Sequence, residues 1–288
     1  SLIYEKSIFT LLATLSCSAF AFEDYNMVVG VVQSKIDSGR GFGSSADLMG
    51  GSYYFESVKA DASRPYAEAP SLQRVSSVTG FIANTQYESS TERSGKYTPY
   101  GVAANFYKGD YLLGVSLQDW HNSTRKVSNL SRGYDMENSA YSLVVGYFVK
   151  QTTSINYEHS KTTVRYSPVG GEVGRAELVD ASNKISMHTV LDVGEVGFVS
   201  AGLSYRSINR TYTTDTANHE YAGVLRFYPK TNVYLEYANT VRYGDHNGSN
   251  GRTNAMALGV ELNRQFDARL SNARFSPSDV SSDYDTNS

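Results

Sequence analysis

The sequence predicts an all-β fold, a transmembrane antiparallel up-and-down β-barrel of about fourteen strands. Three observations carry this expectation. Apolar and polar residues alternate at a period of two through one hairpin after another, which is the period of a strand and not of a helix. Tight turns at one end of the strand pairs face longer polar segments at the other. Tyrosine is abundant, at 23 residues, while mean hydropathy is only −0.38. A sheet that is apolar on one face alone explains that combination. A soluble sandwich shares the composition, but does not call for aromatic belts at both ends of the strands.

The chain has 288 residues and a formal net charge of −3, which argues against a nucleic-acid partner. Near its start Lys6 precedes the apolar run 8–16, and Ala19-Phe20-Ala21 supplies small residues before Phe22. Residues 1–21 therefore read as a secretory signal peptide, with residues 22–288 as a single barrel domain. The run is too short to cross a bilayer as a helix, which takes about 20 apolar residues. The one cysteine, Cys17, lies inside the signal, and Thr14-Leu15-Ser16 is a poor context for lipidation. The exported chain then holds together without disulfides.

Residues 25–37 read as the first strand, with a glycine-rich turn at 39–43. No helix with a Lys-Ser/Thr pair follows those glycines, so they are not a phosphate loop. Residues 46–55 form the second strand and end in aromatics. Residues 56–75 break the rhythm, because Pro65 and Pro70 exclude a regular strand, and Ala67-Glu68-Ala69 allows a turn or two of helix. Strand pattern resumes at Ser76. Hairpins then follow at 97–107 with 111–121, 138–149 with 153–166, 183–193 with 196–212, 219–228 with 232–243, and 252–263 with 267–275. Residues 122–137, 167–182 and 244–251 read as the long polar loops. Short turns on one side and long loops on the other are the asymmetry of an outer-membrane barrel. A solenoid would show similar loops on both sides.

Tyr53-Tyr54-Phe55-x-x-Val58, then Pro65-Tyr66-Ala67-Glu68-Ala69, then Leu72-x-Arg74-Val75-Ser76-Ser77-Val78 resembles a family of Gram-negative outer-membrane porins. The likeness is specific over this stretch alone and elsewhere is one of hairpin pattern. It implies a barrel that passes small polar solutes, with Tyr53, Tyr54, Phe55, Pro65, Glu68, Arg74, Ser76 and Ser77 as the family positions. Family members end in a strand closed by phenylalanine, whereas this chain ends at Ser288. With roughly thirteen strands counted from Tyr25, and an even number usual for bacterial barrels, the sequence is expected to lack its last strand.

The alternation assigns Leu113, Val115 and Leu117, Tyr141, Leu143 and Val145, Val233, Leu235 and Tyr237, and Met256, Leu258, Val260 and Leu262 to lipid. Ser116, Gln118, Asn156, Thr240 and Asn254 are assigned inward. So are the charged residues Glu158, Arg206, Arg210, Glu220, Arg226, Glu236, Arg242 and Glu261, expected to line a wet lumen. Aromatics flank both ends: Phe106, Tyr107, Tyr111, Tyr147, Phe148, Phe227, Tyr228 and Tyr234 beside the short turns, and Trp120, Tyr166, Tyr212 and Tyr243 toward the long loops.

The histidines His121, His159, His188, His219 and His246 share no metal-ligand spacing, and no cofactor is expected. Asp119 and His121 stand two apart near the outer rim and keep an outer-membrane enzyme in view, but no nucleophile elbow supports them. Residues 68–74 have two readings: a periplasmic clasp tying the second and third strands, which is favoured, or a segment folded toward the pore. The sequence thus points to an outer-membrane porin for passive diffusion of small hydrophilic solutes and ions, in contact with outer-membrane lipid. An enzyme or a loop-borne adhesin is the alternative, and homo-oligomer formation stays open.

Overall fold

A computed structural model describes residues 10–16, 24–37, 42–59, 65, 68–89, 93–126, 134–168, 176–210, 216–244, 251–263 and 266–277. They form one antiparallel sheet whose strands follow one another in chain order, apart from two short segments that share one place in it. The strands are β1 (Thr10–Ser16), β2 (Tyr25–Asp37), β3 (Phe42–Val58), β4 (Ser77–Ser89), β5 (Arg93–Tyr97), β6 (Tyr100–Lys108), β7 (Tyr111–Lys126), β8 (Tyr134–Lys150), β9 (Thr153–Pro168), β10 (Ala176–Asp192), β11 (Phe198–Arg210), β12 (Thr216–Lys230), β13 (Val233–Gly244), β14 (Gly251–Asn263) and β15 (Phe266–Pro277). A single helical turn, α1 (Ala69–Leu72), lies between β3 and β4.

The segments β5 and β6 are two halves of one rung. Both lie between β4 and β7 and keep one register across Thr98-Pro99, where Pro99 lends its carbonyl to the Ala83 N–H at 2.8 Å. Counted so, the sheet has fourteen rungs, thirteen of them from Tyr25 onward. No ladder joins β1 to β15 among the described residues, though the two strands lie side by side. The segment read as a signal peptide contributes β1, which pairs with β2 from Thr10↔Ile36 to Ser16↔Gly30. An apolar run beside an unpaired sheet edge takes up that edge's free backbone groups. The signal reading concerns the exported precursor and the pairing concerns the uncleaved chain. Cys17 lies outside the described residues.

The alternation of the sequence becomes two unlike faces. In β8, Tyr141, Leu143, Val145 and Tyr147 are exposed, whereas Ser142 and Val144 are half-buried and Gly146 and Phe148 are buried. Ser142 meets Ser116 of β7, hydroxyl to hydroxyl at 2.7 Å, on the face opposite Leu143. Leu113, Val115 and Leu117 of β7, Leu235 and Tyr237 of β13, and Met256 and Leu258 of β14 share the exposed face. At 61% exposed for Leu117 and 66% for Met256, these apolar side chains have no protein to pack against. An exposed apolar face of this extent marks a surface that meets lipid or another protein. No helix among the described residues is long and apolar enough to cross a membrane, so the strands are the elements that could.

Three expectations need correction. Two of the stretches read as long loops, 122–137 and 167–182, are strand at both ends: β7 runs to Lys126, β8 starts at Tyr134, β9 reaches Pro168 and β10 starts at Ala176. Polar residues there continue to pair because a hairpin ladder needs only backbone groups, whatever the side chains meet. Second, Asn254 is on the outer face. It shares the phase of Met256 and accepts hydrogen bonds from Tyr237 Oη at 3.0 Å and Asn239 Nδ2 at 2.7 Å. Third, the aromatic belts are mixed in facing. Phe106, Tyr111 and Tyr147 point out, with Phe55 stacked on Phe106 and Tyr111 against Tyr147. Phe148, Tyr228 and Tyr234 are buried on the inner face, which Tyr107 and Trp120 share by phase. Tyr166 and Tyr212 lie where no side chain is described.

Candidate functional site

The segment between β3 and β4 decides what the inner face holds. Val58 at the end of β3 packs with Ala69 of α1 and with Val75, and Tyr54 joins them. Gln73 closes the base: its Oε1 accepts the Lys59 N–H at 2.7 Å, and its Nε2 donates to the Lys59 carbonyl. Ser76 accepts the Tyr107 N–H at 2.9 Å through Oγ, and its carbonyl accepts the Phe55 N–H. These contacts are the clasp that the sequence suggested.

The same segment also enters the interior, against the favoured reading. Glu68 stands at the N-cap of α1 but makes no side-chain capping bond. Its carboxylate instead reaches the inner face of β10 and β12. Tyr228 Oη donates to Glu68 Oε1 at 2.9 Å, Arg226 Nη1 lies 3.3 Å from the same oxygen, and His188 Nε2 lies 3.5 Å from Oε2. Between β4 and β12 the sheet takes seven steps of about 4.8 Å each. Glu68 can span to Tyr228 only because the sheet curls around it. Arg74, at φ 56°, turns the chain back toward β4. Its guanidinium pairs with Asp110 at 2.7 Å and lies 4.6 Å over the Phe148 ring.

Two charged levels follow. The lower is the rung Val190↔Ser200↔Arg226↔Glu236↔Ala257. Arg226 Nε donates to Glu236 Oε2, its Nη1 serves Glu68, and its guanidinium lies 5.7 Å from the Tyr234 ring centre. His188 Nε2 is 2.8 Å from Ser200 Oγ. Two glycines make room. A Cβ at Gly259 would fall within the Tyr234 ring, and Gly197, at φ 119°, passes so close to the Tyr228 carbonyl that a Cβ would collide with it. The upper level is the rung Glu158↔Lys184↔Arg206↔Glu220↔Arg242. It stands six residues along β12 from Arg226, roughly 20 Å at strand rise. Arg242 donates twice to Glu220 Oε2, at 3.2 and 2.6 Å, and Lys184 Nζ is 3.8 Å from Glu158.

Of the charged residues assigned inward from sequence, Glu158, Arg206, Glu220, Arg226, Glu236 and Arg242 therefore gather on two rungs. The side chains of Arg210 and Glu261 lie outside those described. Among the family positions, Tyr54, Pro65, Glu68, Arg74, Ser76 and Ser77 belong to the insert and its anchorage, while Tyr53 and Phe55 face outward, edge to face at 6.0 Å. His188, Tyr228, Lys184 and Asp110 were not singled out by sequence as partners in the site. The phase was the available signal for three of them, since Tyr228 is in step with Arg226, and Lys184 and His188 share the inward phase of β10. Asp119 bonds Tyr100 Oη at 3.4 Å on the outer face, in phase with Leu117, and the His121 side chain is outside those described. No cluster of three metal-ligating side chains occurs among the described residues.

No protein-family profile and no curated protein matches the chain. Among solved structures it is similar to the translocator domain of the autotransporter NalP from Neisseria meningitidis, at 8% identity over 93% of this chain and 86% of that one, with a TM-score of 0.44. The β domain of the Bordetella autotransporter BrkA aligns at 12% identity over 93% and 99%, with a TM-score of 0.43. An anion-selective porin from Comamonas acidovorans aligns at 9% identity over 94% and 98%, with a TM-score of 0.37. Scores this low carry no argument. The all-β, antiparallel up-and-down fold rests on the register and the facing of its strands.

Proposed function

We propose that the chain is a bacterial outer-membrane β-barrel that forms a water-filled channel for passive diffusion of small hydrophilic solutes and ions. The observation that carries this reading is the division of faces: exposed apolar side chains outside, and two rungs of acids and bases inside. Hydrocarbon tolerates the first, because from β2 to β14 every strand is paired on both sides and its backbone groups are satisfied within the sheet. Water is the medium that suits the second, since charges enclosed without it carry a large desolvation cost. The insert bearing Glu68 and Arg74 would narrow the periplasmic end, so that permeation depends on the width and charge left around it.

An enzyme fits less well. Asp119 is on the outer face, turned away from any solute inside, and its partner across the strand is a tyrosine hydroxyl. Single-channel recording of the purified full-length chain in planar bilayers tests the proposal. Stepwise conductance that scales with salt supports a channel. Tight membranes at every protein concentration, with the protein shown to be inserted, would overturn it.

A further inference from the structure

We propose that Lys184 and Arg206 form a binding site for a small oxyanion, a carboxylate or phosphate group, on the inner wall between β10 and β11. The site rests on the channel reading only for its access to solute. Residues directly opposite in an antiparallel pair have Cβ atoms about 4.5–5.5 Å apart, and like charges there are destabilising. Lys184 and Arg206 are such a pair. The acids beside them do not resolve the conflict. Glu220, across from Arg206 on β12, receives two hydrogen bonds from Arg242. Glu158 approaches Lys184 only to 3.8 Å. No hydrogen bond or ion pair engages the Arg206 guanidinium among the described residues, and its Nε is buried without an acceptor.

A buried donor left unmade costs about 1–3 kcal/mol, and more when it is charged. An oxyanion seated between the two side chains supplies the missing acceptor to the planar Arg206 fork and a second counter-charge to Lys184. The flanking acids Glu158 and Glu220 keep the attraction modest. That suits a site inside a channel, where a solute must bind well enough to enter and weakly enough to leave.

The test uses the full chain, refolded in detergent, with inorganic phosphate titrated by calorimetry in a chloride-free buffer. The wild type should bind phosphate saturably. Arg206→Gln should weaken binding roughly tenfold and Lys184→Gln roughly threefold, while Arg165→Gln, whose guanidinium is paired with Glu177 off this rung, should change it less than about twofold. If Arg206→Gln fails to give a heat-modifiable band, the threefold loss in Lys184→Gln decides the matter. Absence of saturable binding in the wild type, or equal loss in all three variants, overturns the site. Phosphate binding by a chain that does not conduct keeps the site and removes the channel. Conductance without phosphate binding does the reverse.

Discussion

The two charged levels inside this sheet are built from the same residue types and treat them in opposite ways. At the lower level Arg226 is matched by two acids, Glu68 and Glu236, each with a side chain only 7% exposed. Tyr228, His188 and Ser200 complete the set, and the insert brings one of the acids from outside the strand ladder. At the upper level the rung places Lys184 beside Arg206, and Arg242, with a side chain 54% exposed, takes the nearer acid away from Arg206. The lower arrangement is a structural joint. The upper one leaves a cation with bonds still to make. Partner supply makes the difference: the insert adds a second enclosed acid at the lower level, whereas nothing adds one at the upper level and the buried Arg206 Nε is left without an acceptor.

The sharpest way to break this comparison is to neutralise one arginine at each level. Arg226→Gln leaves Glu68 and Glu236 without their cation and should lower unfolding stability by about 3–5 kcal/mol. Arg206→Gln should change it by less than about 0.5 kcal/mol, because a like-charge contact disappears with it. Urea unfolding of the refolded barrel reads both, and equal losses would make the two levels alike. Next in size is the test of facing on which both levels depend. Leu143→Arg, toward hydrocarbon, should cost about 2–4 kcal/mol and impair assembly, whereas Ser142→Arg should assemble normally in a heat-modifiability gel. A smaller effect belongs to the insert. Glu68→Ala removes the acceptor of Tyr228 and should cost about 2 kcal/mol while raising single-channel conductance, as the segment leaves the interior. A conductance unchanged in Glu68→Ala would mean that the insert does not narrow the path. Smallest of all, Arg242→Gln breaks an exposed pair and should cost less than about 1 kcal/mol, a loss that vanishes in high salt.

Much of the strand pattern was legible because its cause is local. Residues 25–37 were read as a strand and form β2 at the same bounds, since each position's neighbours two residues away decide its face. The tight turns at 108–110 and 150–152 were legible for the same reason. Two kinds of error mark where locality ends. Polar stretches such as 176–182 were read as loop because the side chains there give no alternation, yet their backbone continues the ladder of β10. The destination of Glu68 was not legible at all. Nothing within ten residues of it announces a partner 160 positions later, and the proline-broken insert favours a clasp over a segment folded toward the pore. Tyr228 was readable as aromatic and placed in a belt, and only its phase with Arg226 hinted that it points inward.

The contact between Glu68 and Tyr228 also orders events in time. Contacts between residues far apart in sequence form late, because the intervening chain must lose its freedom before they can reward it. Local hairpins such as β8–β9 need only a two-residue turn, whereas the acceptor for Tyr228 arrives from the far side of eight intervening strand segments. The wall must therefore stand and bend before the insert has anything to hold. An insert held away from the wall would leave Tyr228 without its acceptor and Arg226 with Glu236 alone, so the two ends of this long loop are tied by one carboxylate.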